Sequence, residues 1–464
     1  MAKSKPPKGV KAEAKAEAKA EVKARVQAEA EDSALPGVNP AAPEHVDPEH
    51  SLPFQIVGIG ASAGGIEALS ELFTALDQDT GMAYVVVQHL DPTHSSMIAE
   101  IISRKTGMKT ATAVHHEPVE PNTIYIIPPG KNMVFGEGRL QLSPRTELRG
   151  QHRPIDHFLR SLAEEHGYKS IAVILSGMGN DGTLGIEELK AAGGFTFAQD
   201  DSAEHSSMPR SAVATGCVDM VLNPSEIARE LARIGKHPLL AGSPPKALSS
   251  AQQSFQEIID ELRDVVGVDF TNYKRSTLHR RITRRMVLHK FEDLQQYLEY
   301  MRAHREEVEA LYDDILINVT SFFRDPDAYE VLKTHVFPSL TADRSRHEAV
   351  RVWALGCSTG EEAYSIAMAY TEFAEANGRR VPIQIFATDL NGAGIEKART
   401  GLYAKGIEQD VSPERLRRFF SEIDGSYRIT KPIRDMCVFA RQNVLADPPF
   451  SHGSRRLPQR IDLS

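Results

Sequence analysis

From Phe54 onward the chain breaks into short apolar runs separated by amphipathic stretches. "FQIVGIG", "AYVVVQH", "TIYIIPP" and "IAVILSG" are strand-length and apolar at consecutive positions, the pattern of strands covered on both faces. Helical stretches follow several of them. This alternation predicts an α/β fold over 54–234, a doubly wound and mainly parallel sheet. "GKHPLLAGSPPKALSS" then reads as a Gly/Pro/Ser linker, placed at 235–252. Over 253–340 the period changes. Charged and apolar positions interleave at helical spacing, with almost no Gly or Pro before Pro326, which predicts a small helical domain. A second α/β run, "VRVWALGCSTGEE", "IQIFATDL" and "DMCVFARQNV", occupies 341–464.

Residues 1–53 carry neither pattern. "KAEAKAEAKAEVKARVQAEAE" (11–31) has helical composition, but Lys11, Lys15, Lys19 and Lys23 recur four apart, as do Glu13, Glu17 and Glu21, so like charges meet on each face. With no apolar stripe, the segment reads as a disordered tail joined to a Pro-rich linker. No run is long enough to span a membrane and no apolar segment follows the basic N-terminus, so the expected location is the cytoplasm, without membrane insertion. Cys217, Cys357 and Cys437 are too few and too scattered for a disulfide framework or a metal site. The net charge of −9 argues against whole-surface attraction to nucleic acid.

Candidate chemistry begins at "IVGIGASAGG" (56–65), a strand entering a glycine-rich turn. Gly58 to Ala63 fits the dinucleotide fingerprint, and Gly60 to Gly64 fits the G-x-S-x-G nucleophile elbow. A dinucleotide site needs an acid closing the second strand. Here that strand closes on Gln88-His89, and a histidine suits a general base better. "VILSGMGNDG" supplies Asp181 after another strand. Parallel strands align their carboxyl ends, so Ser62, His89 and Asp181 can converge. A helix N-cap serine and a surface histidine would leave the same letters.

"GIGASAGG", "QHLDPTHSSM", "IYIIPPGKNM", "ILSGMGNDGTLG" and "QDDSAEHSSMP" resemble, in order, the catalytic domain of the chemotaxis methylesterase CheB. The resemblance implies a Ser62–His89–Asp181 triad that hydrolyses glutamate γ-methyl esters on chemoreceptors and deamidates certain glutamines, with no cofactor. Amides at the start of the helix after Ser62 are candidates for the oxyanion hole. Ala63 stands where many members have Thr, and 1–53 is too short for the receiver domain such enzymes usually carry, so phosphorylation control within the chain is not expected.

In the second half, the glycine-rich turn of "VWALGCSTGEEAYSIAM" with Asp389 closing the next strand is how a nucleotide-like cofactor is held. With "INVTSFFRD", "FATDLN" and "FARQNVLADPPF" it resembles the chemotaxis receptor methyltransferase CheR, a class I, Rossmann-like fold preceded by a helical domain. The resemblance implies S-adenosylmethionine bound by Asp389 through its ribose, with Asn318, Thr320, Arg324, Glu362 and Asn443 completing the site. In "YKRSTLHRRITRRMVLHK" (273–290), Leu278, Ile282 and Met286 form an inward stripe. A solvated face, a nucleic-acid patch or, under the resemblance, a contact to acidic receptor helices through Arg281 and Arg284 would each suit the flanking arginines. Two rivals are a nucleic-acid amino-methyltransferase, from Asp447-Pro448-Pro449-Phe450, and a non-catalytic receptor-binding scaffold. "HGSRRLPQRIDLS" (452–464) shows no strand pattern, so the methyltransferase sheet is expected to be truncated, lacking its last strands, and unstable or inactive for that reason.

Overall fold

The computed structural model describes residues 52–89, 97–145, 152–240, 248–317, 320–342, 344, 348–378, 381–423, 425–448 and 459–460, with the backbone alone at 248–251, 409, 459 and 460. The N-terminal tail through residue 51, part of the linker, Asn318 and most of the C-terminal tail lie outside the described residues.

The first α/β unit contains strands β1 (Ile56–Ala61), β2 (Ala83–Gln88), β3 (Lys109–Thr112), β4 (Glu117–Pro118), β5 (Thr123–Ile126), β6 (Lys131–Gly136), β7 (Arg139–Pro144), β8 (Ser170–Ile174), β9 (Phe195–Gln199) and β10 (Met220–Leu222). Its helices are α1 (Gly65–Ala75), α2 (Ile98–Ser103), α3 (Pro154–His166), α4 (Thr183–Ala191), α5 (Ser207–Ala214) and α6 (Pro224–Gly235). Seven strands form one sheet in the order β10-β9-β8-β1-β2-β5-β3, and every pairing in it is parallel. The remaining three form a small antiparallel sheet, β4-β7-β6.

The consecutive apolar letters of β1 are explained by its neighbours. Val57, Ile59 and Ala61 meet α1 and α6 on one face, while Ile56 shares the opposite core with α3, α4 and α5. Each Val- or Ile-sized side chain so buried contributes roughly 1.5–3 kcal/mol. Helix α6 starts at a capping box: Asn223 Oδ1 accepts from the Glu226 amide at 2.9 Å, and Glu226 reaches back to the Asn223 amide.

The helical domain consists of α7 (Leu248–Val266), α8 (Arg275–Leu288), α9 (Leu294–Ala303) and α10 (Arg305–Ile315). The stripe Leu278, Ile282 and Met286 packs against Ile258, Leu262, Leu298 and Leu311. Short helices α11 (Pro326–Val331) and α12 (Phe337–Thr341) lead into the second α/β unit. There β11 (Val350–Leu355), α13 (Glu361–Ala376), β12 (Ile383–Asp389) and α14 (Gly392–Thr400) precede a three-stranded antiparallel sheet of β13 (Leu402–Ala404), β14 (Phe420–Ile423) and β15 (Ser426–Ile429). The main sheet runs β16-β12-β11-β17, all parallel, with β16 (Cys437–Arg441) and β17 (Gln459–Arg460) at its edges. Strand β17 corrects the reading of the tail as strandless: Gln459 and Arg460 pair with Val352 and Trp353. Two residues give too short a pattern for periodicity to reveal.

The first α/β unit and the helical domain share a packed face. Val287 of α8 enters the core formed by Ile227, Ala228, Leu231 and Ile234, and Arg233 Nη1 donates to the Val287 carbonyl at 2.8 Å. No helix among the described residues is long and apolar enough to cross a membrane.

Candidate active site

Parallel register brings three side chains to one sheet edge. Ala61 pairs with Gln88, so the following residues, Ser62 and His89, leave β1 and β2 side by side. Ser62 Oγ lies 3.1 Å from His89 Nδ1, and His89 Nε2 lies 2.8 Å from Asp181 Oδ2. The histidine side chain is 29% exposed and the aspartate 6%, so the imidazole links an accessible hydroxyl to a buried carboxylate.

Backbone contacts hold the serine and the aspartate. The Ser62 amide donates to Ser176 O at 3.0 Å, and the Gly65 amide donates to Ser62 O at 2.9 Å, closing the turn into α1. Gly64 caps that helix at φ 68°, and a Cβ there would stand 2.7 Å from Ser176 Oγ, so the turn requires glycine twice over. Asp181 Oδ1 accepts from the amides of Asp156 and Gly182, each at 2.9 Å, and Oδ2 accepts from the Ile155 amide at 3.1 Å. The donors from Ile155 and Asp156 belong to the N-terminus of α3, where amides lack helical partners and the dipole favours an anion. Helix α3 approaches this closely because Gly60 has no side chain; a Cβ there would meet Ile155 Cγ2 at 2.5 Å. With Nε2–H directed to Asp181, the Nδ1 lone pair faces the Ser62 hydroxyl, an arrangement of nucleophile, base and orienting acid.

Three neighbours escaped the sequence reading. The His152 ring lies edge-on to His89, with centroids 6.5 Å apart, and its Nε2 is 2.7 Å from Asn132 Oδ1. Arg153 and the fully buried Asp156 lie behind Asp181. "HRPID" looks like ordinary punctuation before a helix, so only packing reveals them.

The second candidate site follows the same strand-edge rule. Asp389 closes β12, is buried, and accepts from the Ser358 amide at 2.8 Å and the Asn391 amide at 2.7 Å. It pairs in register with Arg441, which places Asn443 just beyond the same edge. Glu362 is half-buried in the first turn of α13. Thr320 is half-buried and Arg324 exposed, with the Arg324 charge in reach of Glu188. Gly356, at φ 69°, has nothing within 4 Å of where a Cβ would stand, so open space adjoins the turn beside Asp389. Leu390 packs on the helical domain, which borders this edge. A carboxylate with spare lone pairs, an amide and an open glycine turn fit an adenosyl ligand. Among the described residues no group of His, Cys, Asp or Glu is placed to hold a metal ion.

Family comparison divides the chain into three matched segments. The CheB methylesterase family matches residues 57–231, the CheR all-alpha domain residues 253–316, and the CheR methyltransferase SAM-binding domain residues 318–453. The chain is a fusion of CheB and CheR domains. The "Uncharacterized 104.1 kDa protein in hypE 3'region" of Rhodobacter capsulatus is 36% identical over 379 residues, 76% of this chain and 40% of that protein. The protein-glutamate methylesterase FrzG of Myxococcus xanthus is 35% identical over 181 residues, 39% of this chain and 54% of FrzG. This chain therefore spans 40% to 54% of these curated relatives. The crystal structure of the Thermotoga maritima CheB methylesterase catalytic domain is 31% identical, is covered over 98% of its length and 39% of this chain, and superposes with a TM-score of 0.37.

In the CheR helical domain, Arg281 and Arg284 differ from the expected receptor-facing pair. Both are buried against the CheB domain. Arg281 Nη1 donates to Lys190 O at 2.8 Å, and its Nη2 donates to Ala191 O. Arg284 Nε donates to Gly194 O at 2.9 Å, while its Nη atoms pair with Asp219 and Asp314. Two buried carboxylates and the carbonyl end of α4 need cations, and α8 supplies them. Burial alone would raise the Asp219 carboxyl, but Arg284 and Lys190 outweigh it and hold it at about 2.

Proposed function

We propose that the CheB domain hydrolyses γ-methyl esters of glutamate side chains on chemoreceptors or similar signalling proteins. The Ser62–His89–Asp181 hydrogen-bonded series carries this reading. Ser62 Oγ attacks the ester carbonyl as its proton passes to His89 Nδ1, and Asp181 stabilises the imidazolium through Nε2. Amides at the start of α1 are positioned by sequence to receive the oxyanion. The imidazolium returns its proton to the departing methoxide, methanol leaves, and water activated by His89 releases the glutamate. Glutamine deamidation would use the same acyl-enzyme with ammonia as the leaving group. The cycle is complete with water, so we assign the esterase no cofactor.

For the CheR half we propose protein-glutamate O-methylation with S-adenosylmethionine. Asp389, Glu362, Asn443, Thr320 and Arg324, together with Asn318 outside the described residues, would hold the cofactor, which supplies an electrophilic methyl group. Asp389 would anchor the ribose hydroxyls. A protein substrate is favoured over nucleic acid by the net charge of −9 and by the burial of Arg281 and Arg284. Free thiols at Cys217, Cys357 and Cys437 suit a reducing cytoplasm.

The decisive experiment measures methanol release from receptor membranes carrying labelled methyl esters, with Ser62→Ala as control. Labelled methyl transfer to receptor membranes, with DNA as competitor, tests the second activity. Methanol release that persists in Ser62→Ala would remove the triad assignment.

A further inference from the structure

Asp156 is a second acid behind the triad that the reaction above leaves unused. It stands in the first turn of α3, where an acid ordinarily faces water and complements the helix dipole. Here it is 0% exposed. Its Oδ1 accepts from the Gly185 amide, in the first turn of α4, at 2.9 Å. Its side chain adjoins the Asp181 carboxylate, whose Oδ1 accepts from the Asp156 amide at 2.9 Å. Among the charged groups facing it are Asp181 and Arg153, and Arg153 Nη1 stands 3.7 Å from Oδ2, an ion pair without a hydrogen bond at that atom.

Two carboxyl groups in contact inside a protein share one proton, because burying two adjacent anions is costly. Three backbone N–H donors converge on Asp181, from Ile155, Asp156 and Gly182. Those donors satisfy a carboxylate there, so the shared proton belongs to Asp156. Burial, and then the Asp181 charge, push the Asp156 carboxyl up to about 8.

We infer that Asp156 is a positioning residue of the esterase, a neutral acid that donates a hydrogen bond to Asp181 and holds that carboxylate toward His89 Nε2. The inference rests on the esterase reading. Asp156 does not touch the reacting atoms; it acts by fixing the group that orients the base. It also ties α3 to α4, since it stands in the first turn of α3 and its carboxyl accepts from the Gly185 amide in the first turn of α4. When its proton is lost, two adjacent carboxylates repel and Asp181 loses its fixed direction.

The test uses the full chain. Methanol release from labelled receptor membranes is followed against pH for wild type, Asp156→Ala and Asp156→Asn, and the side-chain carboxyls of ¹³C-labelled aspartate are titrated by NMR. Asp156→Ala should lower kcat by up to about 100-fold with KM unchanged, the cost of a displaced catalytic group. Asp156→Asn, whose amide can still donate to Asp181 and accept from Gly185, should keep more of the rate. Wild type should lose activity above about pH 8, and Asp156→Asn should not share that alkaline loss. One aspartate should titrate near pH 8 in the wild-type NMR series and be missing from Asp156→Asn. Equal damage from both substitutions, or an alkaline limb unmoved in Asp156→Asn, overturns the inference. If Asp156→Ala does not fold, the asparagine profile and the NMR titration decide. The NMR result stands apart from turnover: should Ser62-dependent methanol release be absent altogether, the esterase reading fails, and an Asp156 that titrates near pH 4 overturns the shared-proton argument by itself.

Discussion

Arg281 Nη1 donates a 2.8 Å hydrogen bond to the carbonyl of Lys190, a residue 91 positions earlier at the end of α4. A side chain of the CheR half thus caps a helix of the CheB half, and the neighbouring Arg284 neutralises Asp219 and Asp314 in the same buried face. Replacing Arg284 with Met leaves two buried carboxylates with Lys190 beside both and Arg285 4.0 Å from Asp314. Breaking a buried ion pair from one side costs about 3–5 kcal/mol. Arg284→Met should therefore lower the unfolding free energy read from urea titration by that order, with a lower midpoint, whereas Arg280→Met should change it little. Equal midpoints for Arg284→Met and wild type would show that the face contributes no stability.

Acid should loosen that face. Asp219 is held at about 2 in the folded protein, below its ordinary value of 3.8. A depressed carboxyl contributes stability that is present above its unfolded value and lost as pH falls through its folded one. The contribution should disappear between about pH 4 and about pH 2, and Asp219→Asn should flatten stability across that window. Circular dichroism melts at closely spaced pH values would detect it.

The opposite sign applies at Glu188, on the flank of α4, where burial raises the carboxyl to about 7 despite Arg160. A raised acid contributes stability below its unfolded value of 4.5 that is lost as pH rises through about 7. Melting temperature should decline over that interval, and Glu188→Gln should reduce the decline. An unchanged slope in the variant would assign the trend to other groups.

Within the triad, Ser62→Ala should abolish methanol release without lowering the melting temperature, because Ser62 is only half-buried. Asp181→Asn should cost about 10⁴-fold in kcat by upsetting the histidine tautomer, and His89→Gln should be at least as damaging. A tenfold loss or less for Asp181→Asn would give the orienting role to another group.

At the second site, Asp389→Ala should weaken S-adenosylmethionine binding by about 10- to 100-fold, the loss of hydrogen bonds to a charged acceptor. Calorimetric titration reads this directly. Since Asp389 also accepts from the amides of Ser358 and Asn391, Asp389→Asn serves as the milder companion. Equal affinities in all three proteins would remove Asp389 from the cofactor site.

Much of this architecture is legible in the sequence because it rests on local pattern and one topological rule. Consecutive apolar letters mark β1, β2 and β8 as two-sided buried strands, and the strand-edge rule nominates Ser62, His89 and Asp181 as neighbours from three distant segments. The stripe Leu278, Ile282 and Met286 identifies the inner face of α8. Sequence does not show what meets the other face. Arg281 and Arg284 look like any exposed basic pair until Lys190, Asp219 and Gly194 are brought against them, and Val287 belongs to a core built from a different domain. Asp156 is hidden for the same reason: an acid in a first turn is unremarkable unless a glycine strand lets the helix sink onto another carboxylate. The antiparallel β4-β7-β6 sheet is missed because its strands lack the long apolar runs of the main sheet.

Helix α4 begins two residues after Asp181 and ends under Arg281; between them Leu184 faces Gly406 and Glu188 binds Arg160, which also lies 3.9 Å from Asp410. Nine residues of one helix thus serve as a common beam for the CheB and CheR domains. Neither half is an interchangeable part: a graft of a foreign esterase would have to bring its own carbonyl end for Arg281, a carboxylate for Arg284 and a socket for Val287. A substitution along this beam is therefore felt by both domains, whichever of them it was meant to alter.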